Sequence, residues 1–259
     1  MTSVRRSPPY SAYARIYDRI GQRAFGERMA CVILELLSSH GRQPASVLDL
    51  GCGTGAATLA FARRGLRAVG VDRSAEMLDR ARSLAEQERL AVEFIESDMI
   101  DPPANGQFGL VTCIYDAFNY PEDESAAFAF LLSVHRRLLP DGYFVFDMNT
   151  RARLESSWEH GLVLAHDADD LYVTYRSWFD PDLDASPLIM TAFIRNESGD
   201  WDRFDEEHIE RAWPIDRVSR WLEDAGFRVV EVLGYVDSSG DVHRPAGEDH
   251  GRVVFVAAR

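Results

Sequence analysis

The chain has 259 residues, 46% of them apolar, and a formal net charge of −14. That length suits one large domain or a domain carrying an insertion, and no apolar run is long enough to span a bilayer. So acidic a chain, with no basic stretch, argues against nucleic acid as a partner, because that binding draws on cationic neutralisation of phosphates.

All 28 basic residues are arginine. Without lysine, Schiff-base chemistry and the lysine of a phosphate-binding loop are both excluded. The acidic field favours cationic ligands instead. Cys31, Cys52 and Cys113 have no metal-ligand spacing, so a reduced, cytoplasmic protein with no metal and no membrane partner is expected. Residues 1–9 carry arginines but no apolar segment, and read as a loose arm rather than a secretory signal.

Residues 10–21 are expected to be helical, because Tyr10, Tyr13 and Tyr17 then share one face. That face either packs on the core or forms a lid over an active site. An amphipathic helix follows over 24–39. Val47–Leu50 then reads as a strand running into Gly51-Cys52-Gly53-Thr54-Gly55, with a helix from Ala56. A second strand, 68–71, ends in Asp72 and is followed by a helix over 74–86. A third is read in 92–99, which contains Asp98 and Met99. A fourth, 108–114, runs into the loop Tyr115-Asp116-Ala117-Phe118-Asn119-Tyr120-Pro121. After a helix over 123–139 comes a fifth strand, 143–148. Such alternation implies a mainly parallel sheet with helices on both faces.

Beyond residue 150 the pattern changes. Strand-like runs at 162–165, 171–179, 187–196 and 201–213 are separated by polar turns. A stretch of about 60 residues is too long for a plain loop and reads as an antiparallel insertion covering a substrate. Trp158, Tyr175, Trp178 and Trp213 supply it with apolar surface. A helix (214–225) and two strands (227–233 and 253–257) return the chain to the main sheet. The expected divisions are an arm and lid (1–45), an α/β core (46–150), the insertion (151–213) and the end of the core (214–259). Asp180-Pro181-Asp182-Leu183-Asp184 begins like a calcium loop, but Ala185 and Thr191 stand where that loop needs glycine and glutamate.

The strand, glycine turn, helix and second strand ending in a carboxylate form a nucleotide-binding unit. Gly51-x-Gly53-x-x-Ala56 also fits the dinucleotide pattern, so an NAD-dependent oxidoreductase stays open, as does a non-catalytic cofactor binder. Asp49 before the first glycine, the early third glycine at 55, Asp72, and Asp98 come in an order that resembles the class I S-adenosylmethionine-dependent methyltransferases over residues 10–150. The resemblance implies a Rossmann-like, doubly wound α/β fold with an antiparallel C-terminal edge, a helical N-terminal lid and a β-rich insertion after strand five. It implies S-adenosylmethionine as cofactor, with Asp49, Gly51, Cys52, Gly53 and Gly55 beside its methionine part and Asp72 on the ribose. Arg73 and Met77 would flank the adenosine, Asp98 would bond the adenine amino group, and Met99 and Ile114 would pack nearby. Tyr17-Asp18 is similar to the Tyr-Asp pair with which small-molecule members cover the cofactor.

Asp116-x-x-Asn119-Tyr120 looks like a loop of that small-molecule branch. The expected partner is therefore a small-molecule acceptor, an amine by preference and a hydroxyl as the alternative. Tyr10, Tyr13, Tyr115, Phe118, Asn119 and Trp178 are the candidate substrate contacts. Tyr13, Asp116 and His208 are the candidate catalytic groups, since an imidazole titrates near neutrality. Cys52 reads as a small packing residue. The aromatic insertion leaves room for a homo-oligomer.

Overall fold

The computed structural model describes residues 6–7, 9–156, 162–236, 239–243, 245–247 and 249–259; Trp158 lies outside them. The strands are β1 (Arg6–Ser7), β2 (Ser46–Leu50), β3 (Arg67–Asp72), β4 (Glu93–Glu96), β5 (Phe108–Cys113), β6 (Leu138–Asn149), β7 (Leu162–Ala168), β8 (Leu171–Ser177), β9 (Ala185–Arg195), β10 (Trp201–Arg211), β11 (Arg228–Tyr235), β12 (Val242–His243) and β13 (Arg252–Ala258). The helices are α1 (Arg23–Ser39), α2 (Ala56–Arg63), α3 (Ala75–Glu88), α4 (Glu124–Arg137), α5 (Arg151–Ser156) and α6 (Ile215–Asp224).

Eight strands form the main sheet in the order β12-β11-β13-β6-β5-β2-β3-β4. The pairs from β4 to β6 are parallel, whereas β13 and β11 are antiparallel. Successive residues of β6 and β13 enter opposite cores. Phe144, Phe146 and Phe255 pack with Phe130 of α4 and Trp221 of α6. Val145, Val254 and Val256 pack with Met29 and Ile33 of α1 and Phe61 of α2. Both faces are covered, which is why these strands are apolar runs rather than alternating ones. The chain passes from β2 outward to β3 and β4, then returns to the other side of β2 as β5. That reversal opens a crevice beyond the carboxyl ends of β2 and β5, the usual ligand position in open α/β sheets.

The second sheet has the order β1-β10-β9-β8-β7, so the N-terminal arm adds a parallel strand to the insertion. On its inner face, Leu171, Val173, Met190, Ala192 and Phe204 pack against Tyr13 and Ile16.

Residues 10–21 are not the expected helix. They form turns around a single 3-10 turn, Tyr13–Arg15, and Tyr10 has φ 65°. The cause is Glu206 of β10, whose carboxylate accepts from the backbone N–H groups of Tyr10 (2.7 Å), Ala12 (2.6 Å) and Tyr13 (2.8 Å). The third strand is also shorter than expected and leaves Asp98 two residues beyond its end.

Candidate active site

Gly51, Gly53 and Gly55 all have positive φ, at 70°, 53° and 75°, a conformation that strains a side-chain-bearing residue. A Cβ added to Gly53 would meet nothing within 4 Å, so the loop borders open space. Asp49 is 1% exposed beneath it, and its carboxylate accepts from Thr58 Oγ1 (2.6 Å) and Thr112 Oγ1 (2.8 Å). Burial pushes Asp49 up to about 6. Asp49 thus fastens the loop to α2 and β5. Cys52 Sγ lies 2.9 Å from where a Cβ on Gly70 would stand; burial raises its thiol, in keeping with a packing role.

Asp72 accepts from Gly53 N–H (2.8 Å) and Ser74 N–H (2.9 Å), one on each oxygen. Its pKa is raised by burial, against those hydrogen bonds. Ser74, not Asp72, caps α3, its Oγ accepting from Met77 N–H at 3.2 Å. Met77 is buried and Arg73 exposed. Asp98 is exposed and accepts from Ile100 N–H. Met99 and Ile114 pack on opposite faces of the main sheet.

The N-terminal segment bridges the two sheets. Asp18 accepts from Thr54 Oγ1 of the glycine loop (2.8 Å) and pairs with Arg80 of α3 (3.1 Å). Ser74 Oγ donates to Tyr10 O at 3.0 Å. The rings of Tyr10, Tyr13 and Tyr17 lie 5.2 to 6.5 Å apart. Burial raises all three phenols, and the charges of Asp72 and Asp116 both bear on Tyr17. Tyr13 Oη bonds Tyr175 Oη at 2.7 Å. Burial thus favours the neutral form of all three phenols, Tyr13 among them.

The loop after β5 holds two consecutive non-glycine residues in the left-handed region, Tyr115 (φ 62°) and Asp116 (φ 56°). Each such residue costs about 1–3 kcal/mol unless its surroundings impose it. Asp147 imposes it here, accepting from Tyr115 N–H (2.6 Å) and Asp116 N–H (3.1 Å). Arg252 of β13, 3% exposed, bonds the carboxylates of both Asp147 and Asp116, the latter at 2.9 Å. Asp116, the candidate catalytic group of this loop, is therefore half of an ion pair with Arg252.

Three expected substrate contacts have other positions. Phe118 is fully buried against Phe146 and Phe130, with ring centroids 4.7 and 5.8 Å away, so it belongs to the core. Asn119 is fully buried too. Its Nδ2 donates to Asn149 O (3.0 Å) and Arg211 O (2.8 Å), and its Oδ1 accepts from Asn149 N–H (2.9 Å). It splices the loop, β6 and β10 together. Trp178 is 42% exposed beyond the end of β8. Tyr115 stacks on Phe25 at 4.3 Å.

His208 is buried with the tyrosines. Its Nδ1 lies 3.2 Å from Tyr120 Oη, which bonds Tyr10 Oη at 2.7 Å. Its ring meets Tyr10 edge-on at 4.8 Å. Two neighbours on the same face of β10 escaped the sequence reading, Glu206 (1% exposed) and Glu210 (7%). Asn149 Nδ2 donates to Glu210 Oε2 at 2.7 Å. Burial, with the like charge of Asp116, pushes Glu210 up to about 8. Asp116, Tyr120, Tyr10, His208 and Glu210 thus form a largely buried acidic cluster between the two sheets. A surface hollow of about 180 Å³ on the second sheet, lined by Leu162, Thr174, Arg176 and Glu207 among others, includes none of the glycine-loop residues.

Among the described residues no group of three or more His, Cys, Asp and Glu is arranged to hold a metal ion. No helix there is long and apolar enough to cross a membrane.

Residues 47–142 match the family model described as a methyltransferase domain. A putative methyltransferase of Geobacillus sp. (strain WCH70) is 28% identical over 254 residues, covering 96% of this chain and 99% of its own. A putative methyltransferase of Bacillus subtilis (strain 168) is 28% identical over 86% of this chain and 88% of its own. The solved structure of an S-adenosylmethionine-dependent methyltransferase from Clostridium acetobutylicum superposes with a TM-score of 0.82 at 24% identity, covering 95% and 97% of the two chains. A sugar N-methyltransferase from Streptoalloteichus superposes at 0.75 and 20% identity, over 99% and 96%. With the glycine loop and the carboxylate ending β3 in agreement, these likenesses support a class I S-adenosylmethionine-dependent methyltransferase with S-adenosylmethionine as its cofactor.

Proposed function

We propose that this enzyme methylates an amine nitrogen of a small molecule, in the manner of tailoring enzymes acting on amino sugars, amino acids or natural-product precursors. The observation that carries this reading is the charge of the buried cluster around Asp116 and Glu210. Arg252 is shared between Asp116 and Asp147, and Glu210 adds a third buried carboxyl. A site with more carboxyls than cations suits a positively charged guest, and an amine reaches it as an ammonium ion. The likeness to a sugar N-methyltransferase speaks for the fold alone, and the acceptor reading rests on that cluster.

The cofactor supplies a methyl group already activated by the sulfonium charge. The glycine loop and Asp72 are suited to hold it, Asp72 by accepting from the ribose hydroxyls, and Tyr17 to close over it. What the chain adds is orientation, since holding two reactants in line is worth up to about 7–11 kcal/mol. The pairing of His208 with Tyr120 supports the second reading, a hydroxyl acceptor deprotonated by the imidazole. Methyl uptake from labelled S-adenosylmethionine, measured on matched amines and phenols, decides between them. Transfer to phenols alone refutes the amine reading.

A further inference from the structure

Glu210 and Asn149 meet from different sheets, one from β10 and the other from the carboxyl end of β6. Asn149 is 3% exposed. Its Nδ2 is engaged by Glu210 and its backbone by Asn119, yet its Oδ1 is buried with no hydrogen-bond partner. His208 Nε2, on the same face of β10 as Glu210, makes no hydrogen bond either, although Glu206 Oε2 lies 3.5 Å from it. Folded chains rarely leave such atoms unpaired, and an exception calls for a ligand or another explanation. Flipping the amide sets Oδ1 against Glu210, a pairing satisfied only while that carboxyl holds its proton, so it fails for the ionised form. The cluster thus sets an orphaned acceptor beside a buried carboxyl, and a guest with several N–H donors satisfies both.

Resting on the amine reading above, we propose that Glu210 and Asn149 bind the acceptor's ammonium group and that Glu210 takes the proton it must lose before attack. The proton passes from R–NH3⁺ to the Glu210 carboxylate, leaving R–NH2 held by Asn149 Oδ1. The nitrogen lone pair forms the new bond to the methyl carbon as the carbon–sulfur bond breaks, its electron pair going to sulfur. The products are R–NH2⁺–CH3 and the neutral thioether, and Glu210 later gives its proton to solvent. A carboxyl raised to about 8 is matched to this task near neutrality. The groups facing it are mixed. Asp116, from the loop after β5, raises it, whereas Arg252 of β13, Arg153 of α5 and the Asn149 hydrogen bond lower it. Tyr10 and Tyr120 face it as neutral phenols. His208 and Glu206 share its face of β10.

The test measures methyl transfer across the neutral and alkaline range, using amino sugars and amino acids as amine probes and phenols as hydroxyl probes. Glu210→Gln should lower kcat/KM for amines by about a hundredfold near neutrality, with activity recovering as rising pH deprotonates the amine in solution. Affinity for S-adenosylhomocysteine, by calorimetry, should stay unchanged and report an intact cofactor site. Glu210→Asp keeps a carboxylate and should keep the wild-type pH profile with a smaller loss. It carries the test alone if the glutamine variant does not fold, and a profile displaced to alkaline pH like that of an enzyme without a base would then count against the proposal. Wild-type amine methylation with full kcat/KM in Glu210→Gln overturns the role of Glu210 and leaves the amine reading standing. Wild-type transfer to phenols alone overturns both.

Discussion

Glu206→Gln tests whether one buried carboxylate holds the N-terminal segment over the cofactor loop. Glu206 Oε1 accepts from Ala12 and Tyr13, and Oε2 from Tyr10, all within 2.8 Å. Glutamine fills the same volume and retains one oxygen, so the pair of bonds from Ala12 and Tyr13 can persist. Its amide nitrogen must then face the Tyr10 N–H, donor against donor. The variant loses one charge-assisted hydrogen bond, weakens two more and buries an unpaired donor. A bond to a charged group is worth about 1.5–3 kcal/mol and a buried unsatisfied donor costs about 1–3 kcal/mol; the two overlap, since both measure loss of the same Tyr10 bond, and docking should weaken by about 2–4 kcal/mol. At 1.4 kcal/mol per factor of ten, that is about thirty- to a thousandfold in the docking equilibrium. The apolar contacts of Tyr13 and Ile16 with the second sheet remain, so the loss appears as local opening rather than global unfolding. Hydrogen exchange read at the amides of Tyr10, Ala12 and Tyr13 should quicken by that factor. S-adenosylhomocysteine should dissociate faster in stopped flow, because Asp18 ties this segment to Thr54. Exchange and dissociation both within twofold of wild type would refute the clamp.

Asp72→Ala should weaken S-adenosylmethionine binding by about 1–3 kcal/mol, the cost of leaving ribose hydroxyls unpaired, and unchanged calorimetric affinity would remove Asp72 from the site. Phe118→Ala should destabilise the fold by about 3–5 kcal/mol, since its ring is fully buried against Phe146 and Phe130; a normal denaturation midpoint would return it to the candidate substrate contacts. Glu210, raised from 4.5 to about 8, binds its proton more tightly in the folded state than in the unfolded. The folded state therefore loses stability as pH rises from about 4.5 to about 8, by a few kcal/mol at most. Glu210→Gln removes that loss, so its stability relative to wild type should climb across the same window, and parallel curves by denaturant titration would contradict the shift. Melting with S-adenosylmethionine, S-adenosylhomocysteine and NAD in parallel should give a rise with the first two alone, and a rise with NAD alone would contradict the cofactor.

What could be read from the sequence was set by local rules. Asp49, the three glycines and Asp72 fall at fixed spacing because backbone geometry demands it, and the buried parallel strands are apolar on both faces. The tyrosines at 10, 13 and 17 were grouped correctly for the wrong reason. Their spacing fits a helix, but the amides that would begin one are captured by a carboxylate nearly two hundred residues away, which no window of sequence contains. Strand β10 misleads in the opposite sense. In Phe204-Asp205-Glu206-Glu207-His208-Ile209-Glu210 the usual rule turns Ile209 inward and its acidic neighbours outward. The fold does the reverse, leaving Ile209 40% exposed while Glu206, His208 and Glu210 are at most 7% exposed. The register follows from the partner strand, where Glu206 stands opposite Met190 and His208 opposite Leu188, and Phe204 joins the apolar cluster at one end of that face. An alternation with its polarity inverted brings burial costs that packing alone does not offset. The offset at Glu206 is visible, in three amides. At Glu210 it is incomplete, with one amide donor, an opposing Asp116 and an unpaired Asn149 Oδ1 beside it. The proposed ammonium guest, a cation rich in N–H donors, would supply what that burial lacks.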